Sequence, residues 1–106
     1  STQPTIGVFD EHKKEHKIEA LVNTGRYRSA ISESYAHELG LFDIDDFLWR
    51  QQELIEGKVP VIEVKIKIKS KKITTAMIVI KKLNKAKAKI ELGRKDLQGF
   101  LIGEEA

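Results

Sequence analysis

Ala20-Leu21-Val22-Asn23-Thr24-Gly25 is an apolar run that reads as a strand and stops on a turn-forming triplet. An Asp at position 23 would make that triplet Asp-Thr-Gly, with a carboxyl group held where the strand ends. Asn and Asp have nearly the same shape, but only the carboxylate can take and give a proton. The chain repeats the layout much further on, where Ile90-Glu91-Leu92 is a second short apolar strand ending in Gly93-Arg94. The first loop thus keeps the outline of an acid site without the acid.

The 106 residues suit a single domain, 1–106, with a modest core. Hydrophobic residues make up 41% and charged residues 33%, which is ordinary for a globular protein. No apolar run approaches the roughly 18–20 residues that cross a bilayer, so no membrane partner is expected. Ser1 to Val8 is polar, contains a Pro and lacks the apolar centre of a secretory leader. The chain has no Cys, which excludes disulfides, iron–sulfur clusters and thiol catalysis. A cytoplasmic location is the expectation. The net charge of +3 comes from Lys residues concentrated between Lys58 and Lys95. In Val64-Lys65-Ile66-Lys67-Ile68-Lys69 they alternate with β-branched residues, as on the wet face of a strand. A basic surface that binds single-stranded nucleic acid needs aromatic side chains to stack bases, and Val59 to Ile80 contains none, so no nucleic acid is expected.

Period-two patterning dominates. Strands are expected over Thr5–Phe9, Lys17–Val22, Ser29–Ile31, Val59–Lys69, Lys72–Ile80, Ala86–Leu92 and Phe100–Ile102, the long pair joined by a tight hairpin at Ser70-Lys71. Asp10 to His16 reads as a charged turn and Asn23 to Tyr27 as a loop. Ser32 is a good helix N-cap, Tyr35, Ala36 and Leu39 share a face, and Gly40 supplies the stop. Arg94 to Gln98 reads as a short second helix closed by Gly99. Many short strands with one mid-chain helix and a short C-terminal one predict an all-β, strongly curved barrel.

An acid protease activates water between two carboxylates that share one proton, because a pair held about 3 Å apart cannot both ionise. A chain with a single such loop donates half a site, and a symmetric dimer completes it. Leu21 and Val22 would bury the approach, Thr24 offers a hydroxyl to brace the loop, and Gly25 lets the backbone lie close to substrate.

With those residues in view, the chain resembles the retropepsin-type aspartic proteases, the homodimeric class that includes the retroviral enzymes. More narrowly it is similar to a prokaryotic family once labelled ATP-dependent zinc protease and associated with RimK-like glutamate ligases. That family shows I-D-T-G-A-Y-x-S-x-I, which stands here as Val22-Asn23-Thr24-Gly25-Arg26-Tyr27-Arg28-Ser29-Ala30-Ile31. Its closing G-R-x-D-L-x-G-F-L-[VI] matches Gly93-Arg94-Lys95-Asp96-Leu97-Gln98-Gly99-Phe100-Leu101-Ile102. The resemblance implies a closed acid-protease barrel, a homodimer acting on peptide or protein substrate, and catalytic residues at Asn23 (as Asp in the active form), Thr24 and Gly25. It also implies a hairpin flap from residues 46–62 with its tip near Glu56-Gly57. Trp49 or Leu54 would lie over substrate, or Trp49 would serve as a core or dimer contact. Arg26 and Tyr27 would face substrate; Arg26 would favour acidic side chains or turn away into solvent. Gly93 would sit behind the catalytic loop and Arg94 would tie the dimer, although the acid that Arg94 pairs with in retroviral relatives is replaced here by Arg26-Tyr27-Arg28. Asp96 is the nearest acid, with a role inside the short helix. The terminal strands, Thr5–Phe9 and Phe100–Ile102, would supply unpaired edges to a dimer.

Asn23 departs from the family, either as an introduced substitution or as a natural pseudoenzyme that binds peptide without cutting it. His12-Lys13-Lys14-Glu15-His16 matches a zinc-binding string that works only on a helix, whereas here it fills a turn. No metal is expected. No Gly-rich phosphate loop is present, so no nucleotide cofactor is expected either.

Overall fold

The computed structural model describes residues 3–43 and 59–97. Seven strands form one mixed sheet: β1 (Thr5–Phe9), β2 (Glu15–Glu19), β3 (Leu21–Val22), β4 (Ser29–Ser32), β5 (Val61–Ile68), β6 (Lys71–Ile80) and β7 (Ile90–Leu92). Their order is β2-β1-β5-β6-β4-β7-β3. The outermost strands, β2 and β3, are separated only by Ala20, which is fully buried and whose N–H donates to the Pro4 carbonyl at 2.9 Å. One residue therefore carries the chain from one end of the sheet order to the other, and the sheet rolls into a nearly closed barrel. This corrects the single strand expected over Lys17–Val22: alternation continues through Ala20, but the hydrogen-bond partner changes from β1 to β7.

β5 buries Val64, Ile66 and Ile68 while Lys65 stays exposed, so the alternation seen in the sequence maps onto the two faces. β5 and β6 pair antiparallel from Val61↔Ile78 to Ile68↔Lys71. The turn between them is Lys69-Ser70, one residue earlier than expected, and both residues adopt positive φ. β4 is buried at every position and lies between β6 and β7, parallel to one and antiparallel to the other. The core gathers Ile6, Val8, Ile31, Val64, Ile66, Met77, Val79, Ile90 and Leu92 inside the barrel, closed by Ala36, Leu39 and Leu97.

Helix α1 (Glu33–Glu38) starts where expected, with the Ser32 side chain accepting from the Tyr35 N–H, and ends before Gly40 at φ 75°. Residues 94–97 are also helical. The strand expected over Ala86–Leu92 is shortened to β7, and a 3-10 helix, Lys81–Lys85, precedes it. Asn84 anchors that 3-10 helix: its Oδ1 accepts from Ser32 Oγ at 2.8 Å and the Ser34 N–H at 2.9 Å, tying it to the end of β4 and the start of α1. β1 does not offer an unpaired edge, because β2 and β5 occupy both its sides. Phe100–Ile102 lies outside the described residues. No described helix is long and apolar enough to cross a membrane.

Candidate active site

The loop from Asn23 to Arg28 joins β3 to β4 by passing over the end of β7, which lies between them. Position 23 is the last on the ladder, with its N–H donating to the Leu92 carbonyl at 3.0 Å. The Asn23 side chain is engaged at both ends. Oδ1 accepts the Gly25 N–H at 3.0 Å, forming an Asx turn that folds the loop back on itself, and Nδ2 donates to Glu91 Oε1 at 3.2 Å. An N–H can only donate, so the Gly25 amide fixes which end of the carboxamide faces Glu91. Thr24 and Gly25 are exposed, whereas Asn23 is half-buried.

Gly93 sits directly behind the loop. A Cβ there would lie 2.6 Å from the Tyr27 and Arg28 carbonyl oxygens, so only glycine permits the crossing. The next residues bind the loop from below: the Arg94 N–H donates to Arg26 O and the Lys95 N–H to Tyr27 O, each at 2.9 Å. Arg94 Nη1 donates to the Thr24 carbonyl at 2.9 Å, and its guanidinium lies 5.9 Å from the Tyr27 ring centroid. Asp96 is buried and accepts from Ser29 Oγ at 2.5 Å and Thr75 Oγ1 at 2.9 Å; Ser29 Oγ in turn accepts the Gly93 N–H at 3.0 Å. Its role thus extends beyond the short helix, tying that helix to β4 and β6.

Arg26 neither stretches across the loop nor turns into open solvent. Its Nη2 lies 3.4 Å from Glu91 Oε1, the two side chains being 32% and 14% exposed, and its Nε is buried with no acceptor among the described residues. Glu91 therefore receives both the position-23 amide and a guanidinium. Asn23, Thr24, Gly25, Arg26, Tyr27, Gly93 and Arg94 all come together at this end of the barrel. Trp49, Leu54, Glu56 and Gly57 lie outside the described residues; of the range expected for the flap, Val61 and Ile62 belong to β5. At the turn after β1, His16 Nε2 pairs with Asp10 Oδ2 at 2.8 Å, while His12 lies 3.8 Å from Glu11. Among the described residues no group of three or more His, Asp or Glu side chains is arranged to hold a metal ion.

No protein-family model and no curated protein matches the chain. Solved structures do. The retroviral protease-like domain of Ddi1 from Leishmania major aligns over 93% of this chain and 73% of its own length, with TM-score 0.56 and 16% identity. The fold is retropepsin-like. The EIAV protease complexed with the inhibitor HBY-793 aligns over 94% of this chain and 89% of its own, with TM-score 0.54 and 21% identity. On this retropepsin-like frame, two acids gain partners that the sequence reading did not give them. Glu91 is one, and its signal was present: a charged residue interrupts the apolar pair Ile90 and Leu92, next to the strand end that Gly93 marks. Asp96 is the other. Its hydroxyl partners, Ser29 and Thr75, are far from it in sequence and carry no local pattern.

Proposed function

We infer that the chain is half of an aspartic-protease-type peptide site, completed by a second copy of itself. One observation carries this reading: on a retropepsin-like barrel, the side chain at position 23 ends a strand in an Asn-Thr-Gly turn backed by Gly93 and Arg94. The prokaryotic, RimK-associated family is the narrower assignment we propose. With Asp at position 23, two such loops facing each other would hold a water between their carboxyl groups. The ionised one would take the water's proton as it attacks the peptide carbonyl, and the protonated one would donate to the carbonyl oxygen. Thr24 braces the loop and Gly25 admits the substrate backbone. Arg26 and Tyr27 line the approach, while a flap bearing Trp49, Glu56 and Gly57 excludes bulk water. Arg94 holds the Thr24 carbonyl, keeping the loop in place for its partner. The Asn23 chain has no proton to exchange at that position, so it binds peptide and leaves it intact.

A second reading, a peptide-binding module with no catalytic parent, is favoured by the hydrogen bond from Asn23 to Glu91, because that carboxylate accepts from an amide and would repel an acid. Asn23→Asp separates the two. In the protease reading, the variant cleaves casein or a peptide library at least about 100-fold faster than the Asn23 chain and is blocked by statine-type inhibitors. An inert variant that still binds peptide selects the module.

A further inference from the structure

We propose that Glu91 is a positioning residue of this site: its carboxylate grips the side chain at position 23 of the same chain and sets the charge that position can carry. The parallel register of β3 and β7 puts Leu21 opposite Glu91 and Val22 opposite Leu92, so position 23 leaves the ladder beside the Glu91 side chain. There the Asn23 amide donates to Oε1 at 3.2 Å, while its other end is committed to the Gly25 N–H at 3.0 Å. The amide cannot turn without losing both bonds. Glu91 is 14% exposed, so water screens the contact poorly.

Among the described residues, Arg26 is the cation paired with this carboxylate. Arg26 Nη2 lies 3.4 Å from the same oxygen, a long contact for a guanidinium, and the Arg94 head group is held by the Thr24 carbonyl. The register partners of Glu91 on its two flanking strands are Leu21 and Ala30, neither of which titrates. An acid at position 23 would replace the amide donor with a second acceptor facing Glu91. The two carboxyl groups would then hold one proton between them inside a single subunit, before any partner subunit arrives.

The proposal needs neither a peptide nor a dimer, so its failure and that of the peptide-site reading can be told apart. Three proteins test it: Asn23→Asp, Glu91→Gln and the double variant, each followed by urea unfolding at pH 7 and pH 3 and by carboxyl-carbon NMR titration. In Asn23→Asp the urea midpoint falls at pH 7 and the loss shrinks at pH 3, where the pair holds at least one proton and the like-charge repulsion is gone. The double variant regains at least half of the pH 7 loss, because the amide now sits at position 91 and donates to the acid at 23. One carboxyl of the Asn23→Asp pair titrates about one pH unit or more above the ordinary carboxylate range, and that shift vanishes in the double variant. Superimposable titrations of the two proteins would overturn the proposal, as would an absence of recovery. So would a raised titration that persists in the double variant, since it would then arise from the partner's position 23 across a two-fold axis.

Discussion

A methyl group added at residue 93 would meet the Tyr27 carbonyl oxygen and the Arg28 carbonyl carbon and oxygen, all at 2.6 Å and all backbone. Backbone cannot swing aside as a flexible side chain can, so Gly93→Ala must push the loop away from β7. The expected cost is about 1–3 kcal/mol in urea unfolding, and peptide affinity should fall further than stability because the displaced segment carries Asn23 and Thr24. Behind the same loop, Asp96 is the acceptor for two buried hydroxyls. Asp96→Ala leaves Ser29 and Thr75 without it and opens a void, at a cost of about 3 kcal/mol or more. Asp96→Asn keeps one oxygen and the shape, so it should lose clearly less in the same measurement. Asn23, Thr24 and Gly25 could be recognised from sequence because a tight turn leaves a local signature. The Asp96 network could not, since burial fixes its membership through three separate segments.

Strands and turns show the same division between local and distant causes. Alternation from Val64 to Lys69 predicts β5 because each residue's face depends only on its own strand. That pattern does not name the neighbouring strand, so the break at Ala20, where pairing moves from β1 to β7, left no mark in the sequence. Likewise Ala86 to Leu92 alternates well enough for a strand, yet in the preceding 3-10 helix Leu83 is buried and Asn84 bonds to Ser32, and pairing begins only at Ile90. The β5–β6 turn places Lys69 at φ 49° and Ser70 at φ 69°, conformations that cost side-chain-bearing residues energy. Replacing the pair with Asn-Gly, which suits a type I′ turn, should raise stability by about 1 kcal/mol, read as a higher urea midpoint. The Asp10 turn adds a pH effect. The His16 side chain, followed by the Lys14 amide, lowers the Asp10 pKa from 3.8 to about 2. With the folded value below the unfolded one, this contribution is complete above pH 3.8 and disappears as pH falls through about 2. Asp10→Asn should therefore flatten that part of the stability profile while leaving the neutral plateau's shape unchanged.

At the scale of the whole molecule, what matters is that each chain carries one position 23, on a loop flanked by exposed Leu21 and Tyr27 (37% and 55% exposed). Apolar side chains standing beside the candidate site are where a second copy would gain most by docking. If the peptide lies between two copies, it binds the dimer and not the separate chains, and linkage then fixes the outcome. A ligand present at about 100 times its Kd should strengthen self-association about 100-fold. Sedimentation of the Asn23 chain with a statine-containing peptide should show this, together with one peptide for every two chains. If a second copy docks on this face, Leu21→Glu should weaken association with and without the peptide, because it puts a charge there. A peptide bound one per chain, with no change in mass, would point instead to a cleft complete within each barrel. In that event position 23 would face Glu91 of its own chain and no position 23 of a second copy, and the two-fold arrangement would fall.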